Sequence, residues 1–168
     1  MAEYVGRNFV TTLHEGNRTE AVIRDLFLRE GYIVGDCSGI PEYQEKDIDF
    51  IAENPNTGVR ISYEVKSDNR IADTGNVALE MYMLRHSGLR KGWYEYCQAD
   101  YIVYCDAMNR VAYFIHWKSL KADIESGKFD KYQQRQFNNT IDNCVGCVRL
   151  VKLEDLCQKQ YVKFVSQY

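Results

Sequence analysis

Lys46-Asp47-Ile48-Asp49-Phe50-Ile51-Ala52, then Glu53-Asn54-Pro55-Asn56-Thr57-Gly58, then Val59-Arg60-Ile61-Ser62-Tyr63-Glu64-Val65-Lys66 is the stretch whose reading decides the fold. Both flanks are rich in β-branched and aromatic residues, and the middle carries Asn-Pro and Thr-Gly turn chemistry, so it predicts an antiparallel hairpin. A symmetric hairpin about that turn sets Asp49 opposite Glu64, where cross-strand partners lie about 4.5–5.5 Å apart at Cβ. Glu64 and Lys66 are two apart and project from one face. Alternation also places Asp47 on the face of Asp49, so spacing alone does not choose between the two acids.

Two carboxylates and one ammonium would then share a patch between apolar strands. Carboxylates that close repel, and burial adds to the cost. A divalent cation resolves the conflict: Mg²⁺ takes oxygen ligands and keeps waters, one of which serves as a nucleophile. The bland alternative is a hairpin bearing a surface Glu–Lys pair, which contributes little by itself.

The pattern Asp49…Glu64-Val65-Lys66 resembles the signature of the PD-(D/E)xK nuclease superfamily, the fold shared by many restriction endonucleases and archaeal Holliday-junction resolvases. Asp49-Phe50-Ile51-Ala52 and Tyr63-Glu64-Val65-Lys66-Ser67 also match the apolar dressing of such strands, while Ile48 stands where the family name implies Pro. The resemblance, closest to small phage and bacterial members, implies a restriction-endonuclease-like core over residues 17 to 116. It implies hydrolysis of DNA phosphodiesters with Mg²⁺ or Mn²⁺ held by Asp49, Glu64 and the main-chain carbonyl of Val65. Lys66 would orient or help deprotonate the attacking water and stabilise charge on the phosphate. The family often places a further Glu on an N-terminal helix, a role that falls to Glu20.

At 168 residues, 45% of them hydrophobic, the chain is long enough for one domain with a proper core. A formal charge of −3 rules out gripping nucleic acid by bulk electrostatics, so contact with DNA must come from local basic patches and a bound metal. Six scattered cysteines do not make a disulfide scaffold, and a lone Cys144-Val145-Gly146-Cys147 lacks the second pair that zinc needs. No window has the length and apolarity of a signal peptide or membrane span, which leads us to expect a cytoplasmic protein.

In chain order, residues 1 to 16 read as an arm or short strand. A helix opens at Asn17-Arg18-Thr19-Glu20 and ends at Gly31; Asn17 and Glu20 have capping-box spacing, and Glu20 also lies on the core-facing stripe with Ile23 and Phe27. Tyr32 to Val34 is a strand and Gly35 to Glu45 a polar loop. A second helix is expected from Asn76 to Gly88, where Glu80 shares a face with Val77, Met81 and Leu84, either as a further acid or paired with Arg85 or Lys91. Arg85, Arg90 and Lys91, followed by Trp93, Tyr94 and Tyr96, form the densest basic cluster and are the candidate DNA contacts, with a solvated loop as the alternative. His86 receives no role. Two apolar strands joined at Asp106 to Asn109 follow, then a helix from Trp117, a polar excursion from Phe129 to Asn143, a strand from Val145 to Leu153, a short helix, and a tail that docks.

The expected fold class is therefore α/β or α+β, a central mixed sheet flanked by helices. The expected function is a metal-dependent DNA endonuclease, with a homodimer suited to cutting two strands. The competing readings are a nuclease-like fold without chemistry, acting as a DNA-binding or protein-interaction module, and an RNA-processing nuclease.

Overall fold

A computed structural model describes residues 9–139 and 143–168, with residues 9–15 and 139 as backbone only. In chain order the elements are α1 (Phe9–Arg29), β1 (Ile33–Asp36), α2 (Pro41–Gln44), β2 (Phe50–Glu53), β3 (Arg60–Asp68), α3 (Ile71–Thr74), β4 (Asn76–Arg85), β5 (Gly88–Lys91), α4 (Trp93–Tyr96), β6 (Tyr101–Asp106), β7 (Val111–His116), α5 (Trp117–Glu125), β8 (Gln134–Asn139), β9 (Cys144–Lys152), α6 (Leu153–Gln158) and β10 (Val162–Gln167). The architecture is mixed α+β, with a six-stranded sheet ordered β1-β2-β3-β6-β7-β10 and a four-stranded sheet ordered β5-β4-β9-β8. Strands β3 and β6 run parallel, and the other described pairings are antiparallel. No helix among the described residues is long and apolar enough to cross a membrane.

The β2–β3 hairpin forms in the register that its sequence symmetry predicts, Phe50 opposite Tyr63 and Glu53 opposite Arg60. Its turn is held by the Asn54 side chain, which accepts the N–H groups of Asn56 and Thr57 at 2.9 and 3.3 Å, and by Gly58 at φ +69°. β3 and β6 are the middle strands of the large sheet, and β6 is buried along most of its length, as its unbroken apolar run requires. On one sheet face Phe50, Tyr63, Val103 and Phe114 pack beneath Ile23 and Phe27 of α1. Phe27 meets the rings of Phe50 and Tyr63 at centroid distances of 5.4 and 4.8 Å, contacts that contribute about 0.5–1.5 kcal/mol each beyond burial. On the other face Ile102, Tyr104 and Ile115 pack with Trp117 and Leu120 of α5 and with Val77, Leu79 and Val151 of the smaller sheet.

Four expectations change. The first helix is already formed at Phe9, so Asn17 lies inside it and caps nothing, and the expected arm is helical from residue 9. The β-branched run Val10-Thr11-Thr12 hid that start. Residues 1–8 of the arm lie outside the described residues. The helix does end at Gly31: its N–H reaches the Leu28 carbonyl, the Tyr32 N–H reaches the Phe27 carbonyl, and the rings of Phe27 and Tyr32 sit 5.4 Å apart, a Schellman cap with its apolar contact.

The loop from Gly35 to Glu45 contains α2, opened by Pro41 at its first turn. The helix expected over residues 76 to 88 is the strand β4 turning into β5. Its signature was the alternation of Val77, Leu79 and Met81, all buried, with the less buried Ala78 and Glu80 between them. Glu80 therefore points away from Val77 and Leu79 instead of sharing their face. Finally, the polar excursion after Phe129 contains an edge strand, β8, paired to β9. Its sequence Gln-Arg-Gln-Phe-Asn-Asn lacks the β-branched residues that mark strands, and pairing supplies what propensity does not.

Candidate active site

Where β2 begins, the chain has just left a helical turn. The N–H groups of Lys46 and Ile48 both reach the Tyr43 carbonyl at 3.1 Å, and Asp47 sits in the left-handed region at φ +53°. The chain thus turns at Asp47 before it joins the sheet, and the sequence rule that put Asp47 and Asp49 on one strand face does not apply. The two acids serve different partners. Asp49 Oδ2 accepts the Val65 main-chain N–H at 2.8 Å. Asp47 Oδ2, sealed from solvent, faces the Lys66 ammonium at 3.0 Å.

Lys66 also forms an ion pair with Glu64, two residues back on the same face of β3, and its ammonium lies 5.6 Å from the centre of the Trp93 ring. Glu64 is one of the few charged side chains buried in the molecule, at 4% exposure. Asp49, Glu64 and Lys66 thus converge at the open end of the hairpin. Glu20 lies on α1, which packs on the opposite face of the sheet; the Asp49 charge acts on it, it is bound to Arg24 at 2.9 Å, and Arg24 also pairs with Asp36.

The charges do not balance: Glu20, Asp47, Asp49 and Glu64 stand against Lys66 and Arg24. Burial pushes Glu20 up to about 7, with the Asp49 charge adding to the rise and Arg24 opposing it. Burial likewise raises Asp49, against the Val65 N–H, Lys66 and the Glu64 carboxyl, which favour its ionised form. Glu64 is raised further, by burial first and by Asp49 and Asp47, against the pull of Lys66. Burial alone would lower Lys66, yet Glu64 and Asp47 outweigh it and hold the ammonium protonated well above its ordinary range.

The remaining sequence candidates divide. Glu80 is brought into the cluster's field from β4, raised mainly by burial, with Lys66, Asp47, Arg85 and Arg90 as its charged neighbours. Arg85, Arg90 and Lys91 stand exposed on the β4–β5 hairpin instead of on a helix and loop. Val65 presents its N–H towards Asp49, so its carbonyl lies along the same edge of β3, where β2 has ended. Cys144 and Cys147 are free thiols in β9.

Sequence reasoning missed the Asp47 contact with Lys66 and the role of Gly92, and it set Trp93 beside the basic cluster, not against Lys66. A Cβ on Gly92 would lie 2.1 Å from the Glu80 carbonyl oxygen, so only glycine lets α4 start there and place Trp93 against Lys66. The Gly92-Trp93 pair was the available signal.

A search for family models and one of curated proteins each find no match. Among solved structures the chain is similar to the bacterial homing endonuclease I-Ssp6803I, at 15% identity and a TM-score of 0.49 over 66% of this chain and 72% of that one.

Among the described residues no three His, Cys, Asp or Glu side chains close into a ready-made metal cage. The donors at the hairpin nevertheless suit Mg²⁺, which commonly takes one or two carboxylates and keeps several waters. Asp49, Glu64 and the Val65 carbonyl are oxygen donors, and burial, more than any neighbouring charge, raises both carboxyls. A hollow of about 380 Å³ beside α5, lined by residues including Gln98, Trp117 and Lys118, shares none of these residues.

Proposed function

We propose that the chain is a metal-dependent nuclease of the PD-(D/E)xK type that hydrolyses phosphodiester bonds in DNA. The observation that carries this reading is the convergence of Asp49, Glu64 and Lys66 at the end of one hairpin, in the register that the sequence symmetry predicts. Asp49, Glu64 and the Val65 carbonyl would hold Mg²⁺ or Mn²⁺, with Glu20 completing the acidic group. A divalent cation bound there would polarise the phosphate and acidify water.

Lys66 is the electrostatic element. Held cationic by Glu64 and Asp47, it has no free electron pair to take a proton, so it stabilises charge on the phosphate and orients water instead of acting as base. Asp47 and Trp93 fix its position. Arg85 and Arg90 supply local positive charge on a chain whose net charge is −3. We read residues 1 to 168 as one nuclease unit working in the cytoplasm, in keeping with its free cysteines, and as a homodimer when two strands are cut.

The test is incubation of the protein with Mg²⁺ or Mn²⁺ and supercoiled, linear and branched DNA, and RNA, with EDTA as control. Metal-dependent cleavage of DNA that Glu64→Gln abolishes supports the reading. Cleavage of RNA alone transfers it to RNA processing, and inertness toward every substrate leaves a binding module.

A further inference from the structure

The strands of the smaller sheet carry six cations, Arg85, Arg90, Lys91, Arg135, Arg149 and Lys152, and one acid, Glu80. On a chain of net charge −3 that imbalance is local and concentrated. The register sorts these charges by face. Arg90 pairs with Met83, Met83 with Gly146 and Gly146 with Phe137, which gives one row across all four strands. The side chains confirm it: a Cβ on Gly146 would lie 2.2 Å from the Phe137 ring and 2.8 Å from the Met83 sulfur, so both close over that glycine from the same side.

Two residues along each strand the same face continues. Arg85 follows Met83, and Val148 pairs with both Arg135 and Glu80, the bulge between Glu80 and Tyr82 having kept Glu80 on this side. Lys91 pairs with Tyr82, and Arg149 with Leu79, so these two belong to the other face. The first face is therefore cationic, with an apolar centre of Met83 and a Phe137 ring that is 39% exposed. It also adjoins the carboxylate cluster: the Glu80 carbonyl lies against Gly92, next to Trp93, whose ring centre is 5.6 Å from the Lys66 ammonium, and Glu80 has Lys66, Asp47 and Arg90 among its charged neighbours.

We propose that this face of the four-stranded sheet is the surface on which duplex DNA lies, with Arg90 and Arg135 on phosphates of the two strands. The inference rests on the nuclease reading for the position of the scissile bond. The dimensions favour a duplex: three strand spacings of about 4.8 Å separate β5 from β8, about 14 Å in all, and the major groove is about 12 Å wide. The two arginines thus stand far enough apart to reach backbones on either side of a groove, with Phe137 and Met83 between them.

The test is fluorescence anisotropy of a labelled DNA duplex with the full chain in EDTA, across a salt series, for wild type, Arg90→Glu, Arg135→Glu and Lys91→Glu, each checked for fold by circular dichroism. Each arginine reversal weakens binding about tenfold and lowers the slope of log affinity against log salt by about 1, while Lys91→Glu stays within about twofold of wild type. Unchanged binding by both arginine variants, or an equal loss for Lys91→Glu, overturns the proposal, as does a single strand that binds as tightly as the duplex. If either arginine variant fails to fold, the corresponding glutamine variant gives the same reading at smaller amplitude. Failure of the nuclease reading looks different: the duplex binds with this arginine dependence and is never cut.

Discussion

Asp49 Oδ2 accepts the Val65 N–H at 2.8 Å, at the step where a continued β2–β3 ladder would have offered the Ile48 carbonyl. A side chain has replaced the main chain as β3's partner, and so a carboxylate is fixed at the edge where the Val65 carbonyl also lies. Asp49→Asn keeps an oxygen acceptor for that N–H and removes one of the crowded charges. We expect it to fold with stability equal to or above that of wild type and to lose cleavage. Asp49→Ala strands the N–H and should cost about 1–3 kcal/mol, read as a lower midpoint in urea.

Replacing Lys66 removes the cation that Glu64 and Asp47 share. Lys66→Met retains packing against Trp93 but leaves two covered carboxyls unpaired. We expect cleavage to fall at least about a hundredfold, with a folded protein at pH 5 whose thermal midpoint falls faster than wild type as pH rises. A Lys66→Met protein with wild-type turnover would remove the lysine from the mechanism.

Acidic groups raised by folding set the pH dependence. Glu20 rises from 4.5 to about 7 in the folded protein, so between those values the native state holds a proton that the unfolded chain releases. Stability therefore falls as pH climbs through that window. Thermal midpoints measured from pH 4.5 to 7 without divalent ions should decline, and the decline should be shallower in Glu20→Gln. Saturating Mn²⁺ should raise the midpoint at pH 7 in wild type and not in Glu64→Gln.

Gly92, just before α4, lies against the β4 main chain, where an added Cβ would meet the Glu80 carbonyl oxygen at 2.1 Å. Gly92→Ala must push Glu80 or Trp93 aside, at about 1–3 kcal/mol. Because Trp93 backs Lys66, we expect turnover to drop more than the midpoint implies, and denaturation together with single-turnover kinetics separates the two effects.

The hairpin and its acids were legible because a period of two and a turn with Asn54 and Gly58 fix register locally. The strands β6 and β7 were legible from their apolar runs. What could not be read was what distant pairing decides. β4 alternates Val77, Leu79 and Met81, yet Met83, Leu84 and the run of good helix formers around them also suit a helix; β9, some seventy residues on, settles the matter. β8 has no strand propensity and exists because β9 offers it an edge. Asp47 escaped for a different reason: a left-handed residue breaks the alternation that strand arithmetic assumes.

The most direct test of the central claim is a crystal soaked in Mn²⁺ and measured at the manganese absorption edge. The account predicts an anomalous peak bound by Asp49, Glu64 and the Val65 carbonyl, with Lys66 beside it and turned towards solvent-borne phosphate. A saturating soak that leaves this place without a peak, with Lys66 still locked between Glu64 and Asp47, would contradict it.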